Sequence, residues 1–291
     1  MAVTAEAVKS LRERTGAGMM ECKKALVEAN GDLDAAAELM RKTGLAKADK
    51  KAGRVAAEGV IVIERSADAK LAAIVEVNCE TDFVAREQDF QAFAAKVGKL
   101  ALDHRIDDVA ALSTLQLDGT TVEELRRALI AKIGEKIDVR RIALLEAPAV
   151  VGTYLHGTRI GALVGLRSGS EGVARDIAMH VAAINPARLS AAEVPENELA
   201  KERQILEEQT KAEGKAEAMV PKIVEGRIRK WLGEITLLGQ PFVKDDKQTV
   251  EKYLKQSGAE VSSYVRFEVG AGIEKKQEDF AAEVMKVVKG A

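Results

Sequence analysis

The sequence predicts an α+β protein. The expected parts are an N-terminal three-helix module, two related α+β core halves with small antiparallel sheets, an inserted helical hairpin and a C-terminal helix. Three observations carry this reading. In the first 45 residues apolar positions recur at helical spacing, as in Cys22, Ala25, Leu26 and Ala29. From Gly59 the pattern changes to β-branched runs, GVIVIER and LAAIVEVNCE, separated by the turn residues Ser66–Lys70. The order strand, turn, strand, helix then returns in VVGTYLHGTRIGALVGLRSGSEGVARDIAMHVAAINP.

Each element has a local cause. Thr4 can cap a first helix carrying Val8 and Leu11, which stops at Thr15-Gly16-Ala17-Gly18. A second helix runs over 19–29, and Asn30-Gly31 ends it. Asp32 caps a third helix with Leu33, Ala36, Leu39 and Met40, expected to end near Gly44. Residues 41–54 hold six basic residues and one acid, so they read as a connector or solvated helix, or as a basic contact for an acidic or phosphate partner. After the first hairpin, TDFVAREQDFQAFAAKVGKLAL reads as one amphipathic helix with Phe83, Phe90, Ala94 and Val97 in register. Thr121 and Glu124 have the spacing of a capping box for a helix over 122–137, and a strand over 139–145 follows.

The second core half repeats the strand and helix pattern of the first, without Asp-Phe at the strand-to-helix junction. ENELAKERQILEEQTKAE and KAEAMVPKIVEGRIRKW, parted by Gly214, read as a helical hairpin with Pro221 near the second start. A strand over 234–238, a turn at Gly239-Gln240-Pro241, a helix after Thr249, a strand over 261–269 and a final helix over 274–288 complete the series.

Composition narrows the function classes. The net charge of −2 opposes a dedicated duplex-DNA binder, and 3% aromatics oppose a stacking surface for single strands. No apolar run approaches the roughly 18 residues of a membrane span. MAVTAEAVKSLRER has no apolar signal core, so a cytoplasmic location is expected. Cys22 and Cys79 lie in unrelated contexts, and no CxxC or HExxH pattern occurs, so no metal site and no cofactor are expected.

Little in the chain looks catalytic. There is neither a GxxxxGK[ST] loop nor a GxGxxG after a strand. His180 falls on an apolar helix face and reads as a core residue, His104 as the end of a helix, and His156 as a turn residue able to make a contact. No catalytic residue is assigned. The most pointed feature is Thr81-Asp82-Phe83-Val84, where a strand meets a helix N-terminus. Thr81 or Asp82 can cap the helix while Phe83 staples to Phe90; alternatively Asp82 and Phe83 project together into a partner's cleft. Met19 and Met20 at a helix start pose the same choice between packing and an adaptable partner surface.

With these residues in view, the chain resembles the bacterial elongation factor Ts family. LRERTGAGMMECKKAL, EANGDLDAA, KAGRVAAEGVI, VEVNCETDFVA, HGTRIGALV, MHVAA, GQPFV and RFEVGAGIEK carry the resemblance across nearly the whole chain. It implies a ubiquitin-associated-like module with linker (1–54), a core N-subdomain (55–147), a core C-subdomain (148–194 and 233–270), a hairpin arm (195–232) and a C-terminal helical module (271–291). It also implies a guanine-nucleotide exchange factor, not an enzyme, whose partner is elongation factor Tu. Carried over by motif, Arg12, Met19 and Met20 become contacts to that partner's GTP-binding domain. Thr81, Asp82, Phe83 and Val84 become the segment that disturbs its magnesium site, and His156 the contact to a distal β domain. Neither direct nucleic-acid binding nor a membrane is implied, and a homodimer or two-plus-two complex is left open. A nucleic-acid-binding translation factor using residues 41–54 is the competing class; a hydrolase using Asp82 or His156 has no visible nucleophile–base pair.

Overall fold

The computed structural model describes residues 3–274, leaving aside the side chains of residues 45–49. The chain divides into two compact units: among the described residues, 3–62, 75–142 and 268–274 form the first, and 63–74 with 143–267 the second.

The first unit begins with α1 (Ala5–Thr15), α2 (Met19–Glu28) and α3 (Leu33–Lys51). The Thr4 side chain accepts from the Ala7 N–H, and Asp32 Oδ1 accepts from the N–H groups of Asp34 and Ala35, so both expected caps form. Gly16 ends α1 in the left-handed conformation, φ 66°. Val8, Leu11, Cys22, Ala25, Leu26 and Ala36 make the small core of this bundle.

Next come β1 (Glu58–Arg65) and β2 (Leu71–Cys79), joined by the expected turn, in which the Ser66 N–H donates to the Leu71 carbonyl. The segment read as one helix is two, α4 (Asp82–Ala85) and α5 (Gln88–Asp103). The break has a local cause: Glu87 is extended and its carboxylate accepts from the Phe90 N–H, starting a new helix. Periodicity misses α6 (Val109–Thr114) and the short hairpin of β3 (Gln116–Leu117) and β4 (Thr120–Thr121). α7 (Val122–Ile133) has the predicted capping box, but ends four residues before 137 because Gly134 turns left-handed at φ 91°. β5 (Ile137–Glu146) follows and completes a sheet of order β1-β2-β5.

Gly44 does not end α3, which continues to Lys51 and packs against α7. A Cβ placed at Gly44 would come 3.1 Å from the Ala131 Cβ, so the missing side chain serves close approach rather than a stop. Most of the basic stretch 41–54 is therefore helix, not connector.

The second unit repeats the hairpin-then-helix order with β6 (Val150–His156), β7 (Ile160–Ser168) and α8 (Glu171–Ile184). β6 and β7 pair antiparallel from Val150↔Leu166 to His156↔Ile160, and Ser170 caps α8 through the Val173 N–H. α8 lies close on the sheet: a Cβ at Gly152 would sit 2.2 Å from the Ala174 carbonyl carbon. α9 (Glu196–Ala212) and α10 (Val220–Ile235) form the expected hairpin, with Leu199, Leu206 and Leu232 packed on Val220, Val224 and Ile228.

Residues 234–238 are not a strand. The Thr236 N–H and hydroxyl both donate to the Leu232 carbonyl, which completes α10; Thr236 itself is extended and makes a lone parallel bridge with Arg188, and 237–239 then turn. β8 (Pro241–Phe242), β9 (Asp245–Thr249), α11 (Val250–Gln256) and β10 (Glu260–Glu268) follow, giving a second sheet of order β10-β7-β6. Val164, Leu166, Ile177, Val181, Leu237 and Val261 lie in its core. The helix expected over 274–288 falls, but for its first residue, outside the described residues.

Candidate partner-binding site

The junction at Thr81 is built on a fixed strand. All nine residues of β2 are buried, including Glu76 and Asn78, so its end has little freedom. The Cys79 thiol donates to the Thr81 carbonyl at 3.1 Å. Burial, then the charges of Glu135 and Glu58, push that thiol up to about 12, so it is a structural donor rather than a nucleophile.

Glu135, just past the end of α7, reaches the same place. Its Oε2 accepts from the N–H groups of Glu80 (3.2 Å) and Thr81 (3.0 Å), and its Oε1 from the Thr81 hydroxyl (2.7 Å). The Thr81 Oγ1 in turn accepts from the Val84 N–H at 3.4 Å and caps α4. Val84 and Ala85 are buried, while Asp82 stands half-exposed and pairs with Arg86 at 2.8 Å.

Phe83 separates the two readings of the junction. Its surface is 80% exposed, whereas Phe90 is fully buried. The staple to Phe90 is therefore not made, because the break at Glu87 separates the two rings. The ring stands out from a fixed backbone, next to a carboxylate whose only described partner also lies on the surface.

Arg12, Met19 and Met20 belong to the same unit, on the N-terminal bundle. Arg12 is exposed on α1, and Met19 and Met20 open α2 at 60% and 75% exposure. Their side chains are not used in the bundle core. His156 belongs to the second unit, exposed at the end of β6, with Nδ1 3.3 Å from the Tyr154 hydroxyl and the rings stacked. His180 is the core residue expected: its Nδ1 accepts from the Val243 N–H and its Nε2 meets Gln240 Oε1 at 2.9 Å. Burial lowers its pKa, partly offset by Gln240.

Sequence reasoning missed Glu80 and Glu135. They are 55 positions apart in the chain, and neither belongs to an apolar pattern or cap motif. Gly134 is the signal available: read as a helix stop it puts Glu135 in a loop, whereas the helix expected over 122–137 runs through both. Among the described residues no group of three or more His, Cys, Asp or Glu could hold a metal ion, and no helix is long and apolar enough to cross a membrane.

Large apolar side chains held out to solvent from a pinned frame are the makings of a macromolecular binding surface. A family model described as "Elongation factor TS" matches residues 80–271. The chain is 56% identical over 293 residues to elongation factor Ts of Thioalkalivibrio sulfidiphilus, covering 100% of both chains. It is 55% identical to that of Halorhodospira halophila, covering 99% of each, and 56% identical to that of Methylococcus capsulatus, covering 100% of each. The chain belongs to the elongation factor Ts family, and so to the translation elongation factors.

Proposed function

We propose that the chain is a cytoplasmic, non-enzymatic guanine-nucleotide exchange factor: it binds elongation factor Tu carrying GDP, disturbs the magnesium and phosphate site, and releases GDP so that GTP can rebind. The observation that carries this reading is the exposed Phe83 beside Asp82 on a pinned strand-to-helix junction. Thr81 and Val84 hold the pair in place. Arg12, Met19 and Met20 dock on the GTP-binding domain, and His156 contacts a distal domain. We assign residues 1–54 to the docking module, 55–147 and 148–194 with 233–270 to the core, 195–232 to an accessory arm and 271–291 to a further contact.

The mechanism follows from linkage. A protein that binds best to a distorted, magnesium-free site must weaken GDP, and GDP must weaken it by the same factor. A thousandfold acceleration needs about 4 kcal/mol at the barrier. The docking residues hold the molecule while Asp82 and Phe83 act locally. GTP rebinds because the cell holds more of it.

The test times release of fluorescent GDP from elongation factor Tu under excess unlabelled nucleotide, with and without the chain. Acceleration is expected, and Asp82→Ala and Phe83→Ala should slow release more than they weaken binding to the nucleotide-free partner. No acceleration by the folded wild-type chain would refute the proposal; equal losses in both readouts would refute the local role of the pair.

A further inference from the structure

Two loops meet below the exposed pair, and each sends a carboxylate into the other's backbone. Glu135 takes both N–H groups of the Glu80-Thr81 turn and the Thr81 hydroxyl. Glu80 Oε1 returns the exchange by accepting the Lys136 N–H at 2.6 Å. The end of α3 and the turn just past it tie down both sides. Lys51 Nζ donates to the Gly134 carbonyl, and Arg54 Nη1 lies 3.4 Å from both Glu80 oxygens.

This arrangement controls what Phe83 cannot control for itself. A ring 80% exposed is held little by its own packing, so its placement comes from the backbone that carries it. The peptide planes that carry the Glu80 and Thr81 N–H groups, just ahead of the one that leads into Asp82, are oriented by one carboxylate. The Thr81 hydroxyl, which caps α4, is oriented by the same group. Charge-assisted hydrogen bonds of this kind are short and directional. Prior fixing of a group in its working geometry raises the fraction of bound complexes that are productive.

We infer that Glu135 is a positioning residue: its carboxylate, crossed with that of Glu80, fixes the Asp82–Phe83 pair in the geometry in which it meets the partner's nucleotide site. This rests on the exchange reading above. Glu135 touches neither nucleotide nor partner in this account, and acts through the Thr81 backbone and hydroxyl.

The experiment uses the full-length chain and its Glu135→Ala and Glu135→Gln variants in the fluorescent-GDP release assay, titrated to saturation. If docking residues elsewhere hold the complex, the alanine variant lowers the saturating release rate about tenfold, as expected when about a tenth of complexes remain productive. Its half-saturating concentration stays within about twofold. Glutamine can offer its carbonyl to the two N–H groups and its amide N–H to the Thr81 hydroxyl, so it returns the rate to within about threefold of wild type.

Amide hydrogen exchange at residues 80–84 in the free chain reads the clamp without reference to activity. Protection should fall in the alanine variant and be kept in the glutamine variant, while the thermal transition remains cooperative in both. Unchanged release in a folded alanine variant overturns the inference, as does an equal loss in rate and affinity, or a glutamine variant as poor as alanine. A wild-type chain with protected 80–84 amides but no effect on GDP release places the failure in the exchange reading, and removes the functional role of Glu135 with it.

Discussion

Phe83 and Phe90 are seven residues apart and chemically identical, yet the structure gives them opposite work. Truncating each to alanine should therefore produce opposite phenotypes. A phenylalanine presents about 200 Å² when fully exposed. With 80% of Phe83 exposed, about 160 Å² is available to a partner. At about 25 cal/mol per Å² this is worth up to about 4 kcal/mol on full burial, and about 3 kcal/mol once the retained Cβ is allowed for. Three kcal/mol corresponds to about a hundredfold, expected as the loss in GDP release rate for Phe83→Ala. The same change should cost the free chain less than about 0.5 kcal/mol, as surface substitutions do. Phe90 is fully buried, and its truncation should cost about 3–5 kcal/mol of stability. Thermal unfolding and GDP release, measured on both variants, separate the cases. A Phe83→Ala chain that loses more than about 1 kcal/mol of stability would contradict the exposure argument, and one that releases GDP at the wild-type rate would contradict the role of the ring.

Three further residues, Glu76, His180 and Cys79, carry expected outcomes. Glu76 is fully buried on β2; burial raises its pKa, but hydrogen bonds from the Gly270 N–H, Asn78 and Arg141 outweigh it and the net shift is downward. Its contribution to stability is thus present above about pH 4.3 and lost as pH falls through the lower folded value, so the melting temperature of wild type should converge on that of Glu76→Gln in acid. At neutral pH Glu76→Ala should cost about 3 kcal/mol by removing the buried carboxylate that accepts from Arg140 (3.1 Å), Arg141 (2.5 Å), Asn78 and the Gly270 N–H; a loss below about 1 kcal/mol in urea unfolding would refute it. His180 has a lowered pKa from burial, so the unfolded chain takes up its proton first. Stability should fall as pH drops below about 6.5, and His180→Asn should flatten that slope; NMR titration showing a charged His180 at pH 6.5 would rule it out. Finally, the Cys79 thiol, pushed up to about 12, should resist iodoacetamide at pH 8 in the native chain and react on unfolding, as read by mass spectrometry.

What the sequence determined by itself is local. The caps at Thr4, Asp32, Thr121 and Thr249, the left-handed stop at Gly16 and the hairpin turn at Ser66 each depend on residues within four or five positions. Such interactions are nearly the same in any tertiary setting, so type and order of the main elements were legible, as was the pointed Thr81–Val84 junction. The strand expected over 234–238 failed although its residues favour strands, because Thr236 closes a helix instead.

Tertiary structure decided the rest. Whether Gly44 stops a helix or admits a neighbour depends on Ala131, far along the chain. Whether Phe83 packs or projects is not a property of phenylalanine, but of a break at Glu87 and of what lies around the turn. The carboxylate that pins the turn comes from Glu135, 55 residues beyond Glu80, and no periodicity links positions at that separation. Burial and long-range hydrogen bonding belong to the assembled unit, so an exposed ring on a pinned junction becomes visible only when distant loops are brought together.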